Sequence, residues 1–340
     1  MPKCTDEPLR VAIVGAGDMG GVHARAWKES GAGRVVAVAD VDEARLETFR
    51  AAHGVEDAAT DYNELIDRVR PDAVSVCVPA FLHPAVTLHA AKAGCHVLCE
   101  KPIALTAEDG RSMIDACRSA GAKLAVAFQR RYDPLTRAVR DLVERDVLGR
   151  PLVWRSLDLR EVRPKTRMHE TTLGNGGPVV DCGVHWFDQW AVVFGSEAVS
   201  VTARGGFRFG RGKQRLAAVQ ELAVDTAVVT VEYASGDVGE LTICWGLPEG
   251  TAATSDETLF GPHGVARKTE SGLQVLSGEH KEEHPLDGDP RPALMRDFAA
   301  AVRANDAPPI TGEDGLAALQ VSLAALVSAE ERRPVDPRDQ

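Results

Sequence analysis

The first third of the chain alternates short, nearly unbroken apolar runs with stretches whose apolar residues recur every three or four positions. The runs Leu9–Val14, 35–39, 73–78, 95–99 and 124–128 carry almost no polar residue, the pattern of strands covered on both faces. Between them, residues 20–30, Glu43–His53, Tyr62–Val69, 84–93 and 107–120 read as helices. Strands alternating with helices in this way predict a doubly wound α/β domain on a parallel sheet. Beyond Gly149-Arg150-Pro151 the period changes. Residues 152–162, Ala198–Phe207, 222–233 and 238–245 alternate apolar with polar positions, and Ser235-Gly236-Asp237 supplies a hairpin turn. That pattern predicts an α+β domain on a mostly antiparallel, open sheet buried on one face. Helices return at 293–304 and 315–330, whereas 278–289 (GEHKEEHPLDGD) reads as a solvated turn.

A length of 340 residues fits two domains at roughly 100–200 residues each. The expected division is 1–130 and 131–340, with the last helix a candidate to pack back on the first domain. The net charge of −11 disfavours nucleic acid, whose phosphates call for a basic surface. Seven cysteines run from Cys4 to Cys244 without a CxxC pair. They form neither a disulfide framework nor a zinc pattern, and no metal is expected. The opening MPKCTDEPLR has no long apolar core, and no run of about 18 apolar residues could span a bilayer. A cytoplasmic protein without a membrane partner is the expectation.

The first strand runs straight into Gly15-Ala16-Gly17-Asp18-Met19-Gly20, a GxGxxG between strand and helix. In that context Gly15 makes the tight turn, Gly17 admits a pyrophosphate, and Gly20 lets the helix pack closely. Asp18 and Met19 open that helix beside the anion. Asp40 ends the second strand where an acidic residue meets the adenosine ribose hydroxyls. With Asp42 nearby and no arginine immediately after Asp40, NAD is favoured over NADP. Pro79 and His83 follow the third run at the same sheet edge and could border the cofactor. His83 could equally cap or pack the next helix.

Glu100-Lys101-Pro102 closes the run 95–99, which sets an ammonium at the carboxyl edge of the sheet, where α/β proteins bind ligands. Residues 178–195 (PVVDCGVHWFDQWAVVFG) read as one buried helix whose polar exceptions Asp181, His185 and Asp188 share a stripe. A neutral imidazole at His185 is a suitable base for a hydroxyl proton near pH 7, and Asp181 could orient it. Lys101 could hold the substrate oxygen and offset alkoxide charge.

The glycine fingerprint, Glu100-Lys101-Pro102 and Asp181-Cys-Gly-Val-His185, in this order, resemble the glucose-fructose oxidoreductase / inositol 2-dehydrogenase / rhizopine catabolism family. Phe128-Gln-Arg-Arg-Tyr-Asp133, Gly149-Arg-Pro-Leu152 and Ser328-Ala-Glu-Glu-Arg-Arg-Pro-Val335 fit the same family. The resemblance implies an N-terminal Rossmann domain and a C-terminal α/β domain whose open sheet forms a homodimer or homotetramer. It also implies Lys101, Asp181 and His185 as catalytic residues, with Glu100 and Lys101 bordering the cofactor. Asp158 and Arg160 stand where inositol dehydrogenases carry a His-x-Asn pattern, and together with Arg131, Tyr132 and His169 they are the weaker candidates for substrate contact. The basic stretch Arg160, Arg163, Lys165, Arg167 and His169 suits a carboxylate or phosphate. The alternative is a solvated loop balanced by Glu161 and Glu170. The expected reaction is hydride transfer between NAD and a secondary hydroxyl or ketone of a cyclic polyol or sugar. An NADP-dependent sugar ketoreductase, a glycosidase using transient oxidation and a non-catalytic NAD-binding regulator remain open.

Overall fold

The structure, a computed structural model, describes residues 7–340; Cys4 and the rest of the first six positions lie outside the described residues. The chain forms two compact units, one running to Gln129 and taking in Asp289–Leu316, the other holding Arg130–Gly288 and Ala317–Gln340.

In the first unit, β1 (Leu9–Val14), β2 (Gly33–Ala39), β3 (Asp57–Ala59), β4 (Ala73–Val76), β5 (His96–Cys99) and β6 (Leu124–Val126) form one sheet in the order β3-β2-β1-β4-β5-β6. Every neighbouring pair is parallel. Strand order reverses between β1 and β4, so the ligand crevice belongs outside their carboxyl ends. The helices α1 (Asp18–Ser30), α2 (Glu43–His53), α3 (Tyr62–Val69), α4 (His83–Lys92) and α5 (Ala107–Ser119) follow the predicted periodicity. Asp42, Asp61 and Thr106 cap α2, α3 and α5 by accepting backbone N–H bonds, each cap contributing about 1 kcal/mol. Trp27 of α1 is fully buried. Its ring meets Phe298 of the helix Arg291–Ala304 edge-on at 6.2 Å, and its indole N–H donates to Ser75 Oγ at 2.9 Å. This contact fixes α1, and with it the loop at the mouth of β1.

The second unit contains α6 (Pro134–Glu144), α7 (Pro178–Asp181), α8 (Gly183–Phe194) and an eight-stranded sheet. Its strands are β7 (Val153–Glu161), β8 (Ala198–Phe207), β9 (Thr226–Tyr233), β10 (Val238–Leu247), β11 (Thr254–Gly261), β12 (Gly264–Lys268), β13 (Leu273–Ser277) and β14 (His280–His284). The order is β14-β13-β12-β11-β7-β10-β9-β8, antiparallel except for the β7–β10 pair. Two sequence expectations are corrected, and some elements had none. The segment read as a solvated turn at 278–289 contains β14. The strands β11 to β13 and helix α6 carried no expectation. The single helix expected over 178–195 breaks at Cys182, so Asp181 ends α7 and His185 lies in the first turn of α8.

Packing against the sheet positions α8. Trp190 is fully buried, and its ring occupies the space above Gly239 of β10, where a Cβ would come within 2.1 Å of it. Burial of about 200 Å² of indole at about 25 cal/mol per Å² stabilises this contact by about 5 kcal/mol before entropy is counted. The same face carries Trp154, Leu259, Ala266 and Val275, which stand in register across β7, β11, β12 and β13 and are all buried.

Candidate active site and cofactor cradle

The glycine loop has three different steric requirements. Gly15 has φ +106°, and a Cβ there would lie 2.5 Å from the carbonyl oxygen of Cys77. Gly20 packs so closely beneath the loop that a Cβ would lie 2.0 Å from the carbonyl oxygen of Gly15. Around Gly17, by contrast, nothing stands within 4 Å of an added Cβ. Gly17 is also the N-cap of α1 and makes no side-chain capping bond, so the first amides of that helix face the open side. Asp18 lies in the first turn and Met19 is 36 % exposed. Asp40 Oδ2 accepts from Ala16 N–H at 2.8 Å and Oδ1 from Asp42 N–H at 3.0 Å. Both bonds hold the carboxylate beside the loop. Open space above Gly17, a helix start without a side-chain cap and a carboxylate held at the end of β2 suit a dinucleotide, with pyrophosphate over the loop and ribose against Asp40.

Pro79 precedes the 3₁₀ turn Ala80–Leu82 after β4. His83 is buried, with Nδ1 2.9 Å from the carbonyl oxygen of Pro102 and Nε2 2.9 Å from that of Val78. Burial lowers its pKa, leaving a neutral ring that has one N–H for two carbonyls. His83 therefore links the loop after β4 to the loop after Lys101, and its ring nitrogens are engaged by the backbone.

Lys101 follows β5 at the same carboxyl edge, half-buried, with a cis peptide bond to Pro102. Glu100 points inward. Its Oε1 accepts from His23 Nε2 of α1 at 2.9 Å and its Oε2 from the Lys101 backbone N–H at 3.1 Å. Burial disfavours charge on His23, but neighbouring Cys77 and Glu100 outweigh it and raise the imidazole to about 10. Burial also pushes the Cys77 thiol up, and Glu100, 2.9 Å from Nε2, is the carboxylate paired with His23. Burial opposes ionisation of Glu100 as well, yet His23 and then Lys101 hold its carboxyl below the ordinary value.

In the second unit Asp181 and His185 are 1 % and 6 % exposed. Gly177 at φ +79° and Pro178 start α7, and the Asp181 N–H donates to Gly177 O at 2.7 Å. Asn175 donates to Asp181 Oδ1 at 3.2 Å, and the His185 N–H donates to Cys182 O at 3.0 Å. Asp188, the third member of the expected stripe, is a bidentate acceptor for Arg131, whose Nε lies 3.0 Å from both carboxylate oxygens. Tyr132 is half-buried beside it.

Asp158 is buried and receives Arg160 Nε at 2.8 Å and Trp245 Nε1 at 3.1 Å. His169 Nε2 accepts from Arg163 N–H at 3.0 Å, so its proton sits on Nδ1, which is buried without a hydrogen-bond partner. Burial lowers the pKa of His169; Asp225 and Asp181 raise it and Arg163 lowers it. The basic stretch is not balanced as expected. Glu170 accepts from Gln220 and Glu221 N–H, Glu161 faces Arg215, and Arg163 lies over the Trp245 ring at 5.7 Å.

Sequence reasoning did not find His23, Asn175 or Arg130, whose guanidinium lies 4.1 Å from the Trp186 ring centroid. A helix N-terminal glycine motif followed by a buried histidine was the one available signal for His23.

A parallel sheet with this loop at its switch point, joined to an α+β unit with an open sheet, defines an NAD-binding oxidoreductase of the two-domain Rossmann class. The profile described as "Oxidoreductase family, NAD-binding Rossmann fold" matches residues 9–128, and the "Oxidoreductase family, C-terminal alpha/beta domain" matches 140–336. The chain belongs to the Gfo/Idh/MocA oxidoreductase family. It is 30 % identical over 341 residues to the myo-inositol 2-dehydrogenase of Thermotoga maritima, covering 96 % of this chain and 98 % of that protein. It is 37 % identical over 213 residues to the D-glucoside 3-dehydrogenase of Escherichia coli, 62 % of this chain and 61 % of that protein. An oxidoreductase from Agrobacterium radiobacter, solved with NAD+, L-tartaric acid and magnesium, shares the fold at a TM-score of 0.85 and 20 % identity, over 98 % of this chain and 99 % of that one.

Proposed function

We propose that this enzyme transfers a hydride between NAD(H) and a secondary hydroxyl or ketone carbon of a cyclic polyol or sugar. The observation that carries the reading is the glycine loop and Lys101 at the carboxyl edge of one parallel sheet, in a chain whose relatives include an inositol and a glucoside dehydrogenase. Bound nicotinamide supplies the hydride acceptor or donor. The Lys101 ammonium hydrogen-bonds the substrate oxygen and offsets its charge. His185 takes the hydroxyl proton in oxidation and returns it in reduction, and Asp181 supports the imidazolium. Arg131, held by Asp188, and Tyr132 serve as substrate contacts in this reading. Asp158 and Arg160 pair with each other and shape the wall around Trp245. His169 Nδ1–H, with no bond of its own, is the donor best suited to a further substrate hydroxyl.

NAD is the preferred cofactor because both oxygens of Asp40 are already held by backbone amides, leaving a carboxylate that favours ribose hydroxyls and repels a 2′-phosphate. A panel of polyols, sugars, sugar acids and sugar phosphates with NAD and NADP in parallel, read by nicotinamide absorbance, tests the reading. Turnover with NAD at least about tenfold more efficient than with NADP is expected, equivalent to about 1.4 kcal/mol. Activity confined to NADP overturns the Asp40 argument. Sugar release from an aryl glycoside without net NADH identifies the glycosidase reading, and tight NAD binding with no turnover the regulator.

The open sheet serves self-association in this proposal. On the face opposite Trp154, the residues Leu276, Val265, Phe260, Val153 and Val238 stand in register across five strands, with Phe260 and Leu276 37 % and 41 % exposed. A homodimer or homotetramer covers this stripe. Phe260→Glu, which sets a charge in its middle, is expected to shift the light-scattering mass toward the monomer while leaving the helical signal intact. An unchanged mass argues against this face.

A further inference from the structure

We propose that the buried His23–Glu100 pair is a positioning device for Lys101: it ties α1, which opens on the cofactor loop, to the backbone of the lysine, and it sets a fixed negative charge beside the ammonium that keeps Lys101 protonated into the alkaline range. The catalytic significance of that charge rests on the hydride-transfer reading above.

Both side chains are enclosed, at 2 % and 6 % exposure. The pair is asymmetric. His23 occupies Oε1, while Oε2 accepts from the lysine's own backbone N–H, so the carboxylate bridges α1 and the Lys101 backbone. The remaining titratable groups around Glu100 are His83 of α4, Cys77 after β4 and Cys99 of β5. Burial keeps His83 neutral and pushes both thiols up. Near pH 7 Glu100 is then the anion that His23 and the Lys101 backbone N–H share. The coupling is mutual: Lys101 is among the charges that hold the Glu100 carboxyl low, so the Glu100 charge in turn favours the ammonium form of Lys101.

Replacing Glu100 by Gln keeps size and removes the charge. The test follows the pH dependence of Lys101 acetylation by acetic anhydride, read peptide by peptide in the mass spectrometer on the full-length protein, together with kcat/KM against pH on whichever polyol or sugar the panel turns over. In Glu100→Gln the midpoint of Lys101 labelling is expected about one unit lower than in the wild type, a tenfold faster reaction at a fixed pH below it. The alkaline limb of kcat/KM moves down with it. His23→Gln leaves the carboxylate facing the lysine without a cation behind it, so its midpoint does not fall. A purely structural role would lower melting temperature in both variants and move neither limb. If Glu100→Gln does not fold, the wild-type midpoint decides: a value below about pH 9, well under the ordinary lysine range, overturns the proposal. A labelling shift with no turnover on any substrate leaves the positioning role standing and defeats the hydride-transfer reading; turnover with unmoved labelling does the reverse.

Discussion

Lys101→Ala is expected to lower kcat by about a thousandfold while leaving NADH affinity within about fivefold of the wild type. The magnitude follows from removing one directed, charged donor from an oxygen whose charge grows in the transition state, typically worth about 3–4 kcal/mol. The fold should hold, because the side chain is half-buried at a loop and the contact that anchors this loop, Lys101 N–H to Glu100, belongs to the backbone. Lys101→Arg keeps the charge but replaces a compact point donor with a wide planar fork, so it should recover little. Steady-state kinetics, a fluorescence titration with NADH and a melting curve separate the three quantities. Full turnover in Lys101→Ala would remove the lysine from the mechanism. A parallel loss of kcat and NADH affinity would reassign it to the cofactor.

The parallel sheet was readable because its strands are buried on both faces and so appear as unbroken apolar runs. Leu9–Val14 and Glu43–His53 fall where the pattern puts them. The three-residue edge strand Asp57–Ala59 has too short a run to show a period. Strand β11 shows a different reason for failure. Its inward positions are Glu257 and Leu259, so a buried carboxylate interrupts the apolar alternation. Trp154, Ser156 and Trp186 all donate to that carboxylate, partners that only the folded sheet assembles. In β14, HKEEH, there is no apolar residue at all. Site residues divide the same way. The glycine loop, Asp40 and Lys101 are visible because their roles depend on neighbours in sequence. His23 bonds Glu100 across 77 residues and Arg131 bonds Asp188 across 57, so their roles depend on the tertiary fold. The break at Cys182 lies between these cases: helical periodicity runs through it, yet the Cys182 N–H bonds Pro178 O and the His185 N–H bonds Cys182 O, turning His185 relative to the stripe a continuous helix would make.

Alanine at Gly17 and at Gly20 should fail in different ways, and the contrast tests whether the loop is a binding surface or only a turn. At Gly17 a methyl group meets no protein atom within 4 Å. Gly17 also has φ −77°, a conformation open to any residue. Gly17→Ala is therefore expected to melt within about one degree of the wild type, the change being remote from the core, while the methyl occupies the approach of the pyrophosphate and weakens NADH binding by about a hundredfold, or about 2.7 kcal/mol. At Gly20 the methyl would stand 2.0 Å from a backbone oxygen, that of Gly15, and no side-chain rotation can relieve it. Helix α1 must then move off β1, against the Trp27 contacts with Phe298 and Ser75 that fix it. Overpacking of this kind costs about 1–3 kcal/mol, so Gly20→Ala should lose several degrees of melting temperature as well as NADH affinity. Calorimetry and NADH fluorescence on the same samples give both readouts. Gly17→Ala with normal NADH affinity would mean that nothing approaches the loop there, and the nucleotide site would have to be sought elsewhere.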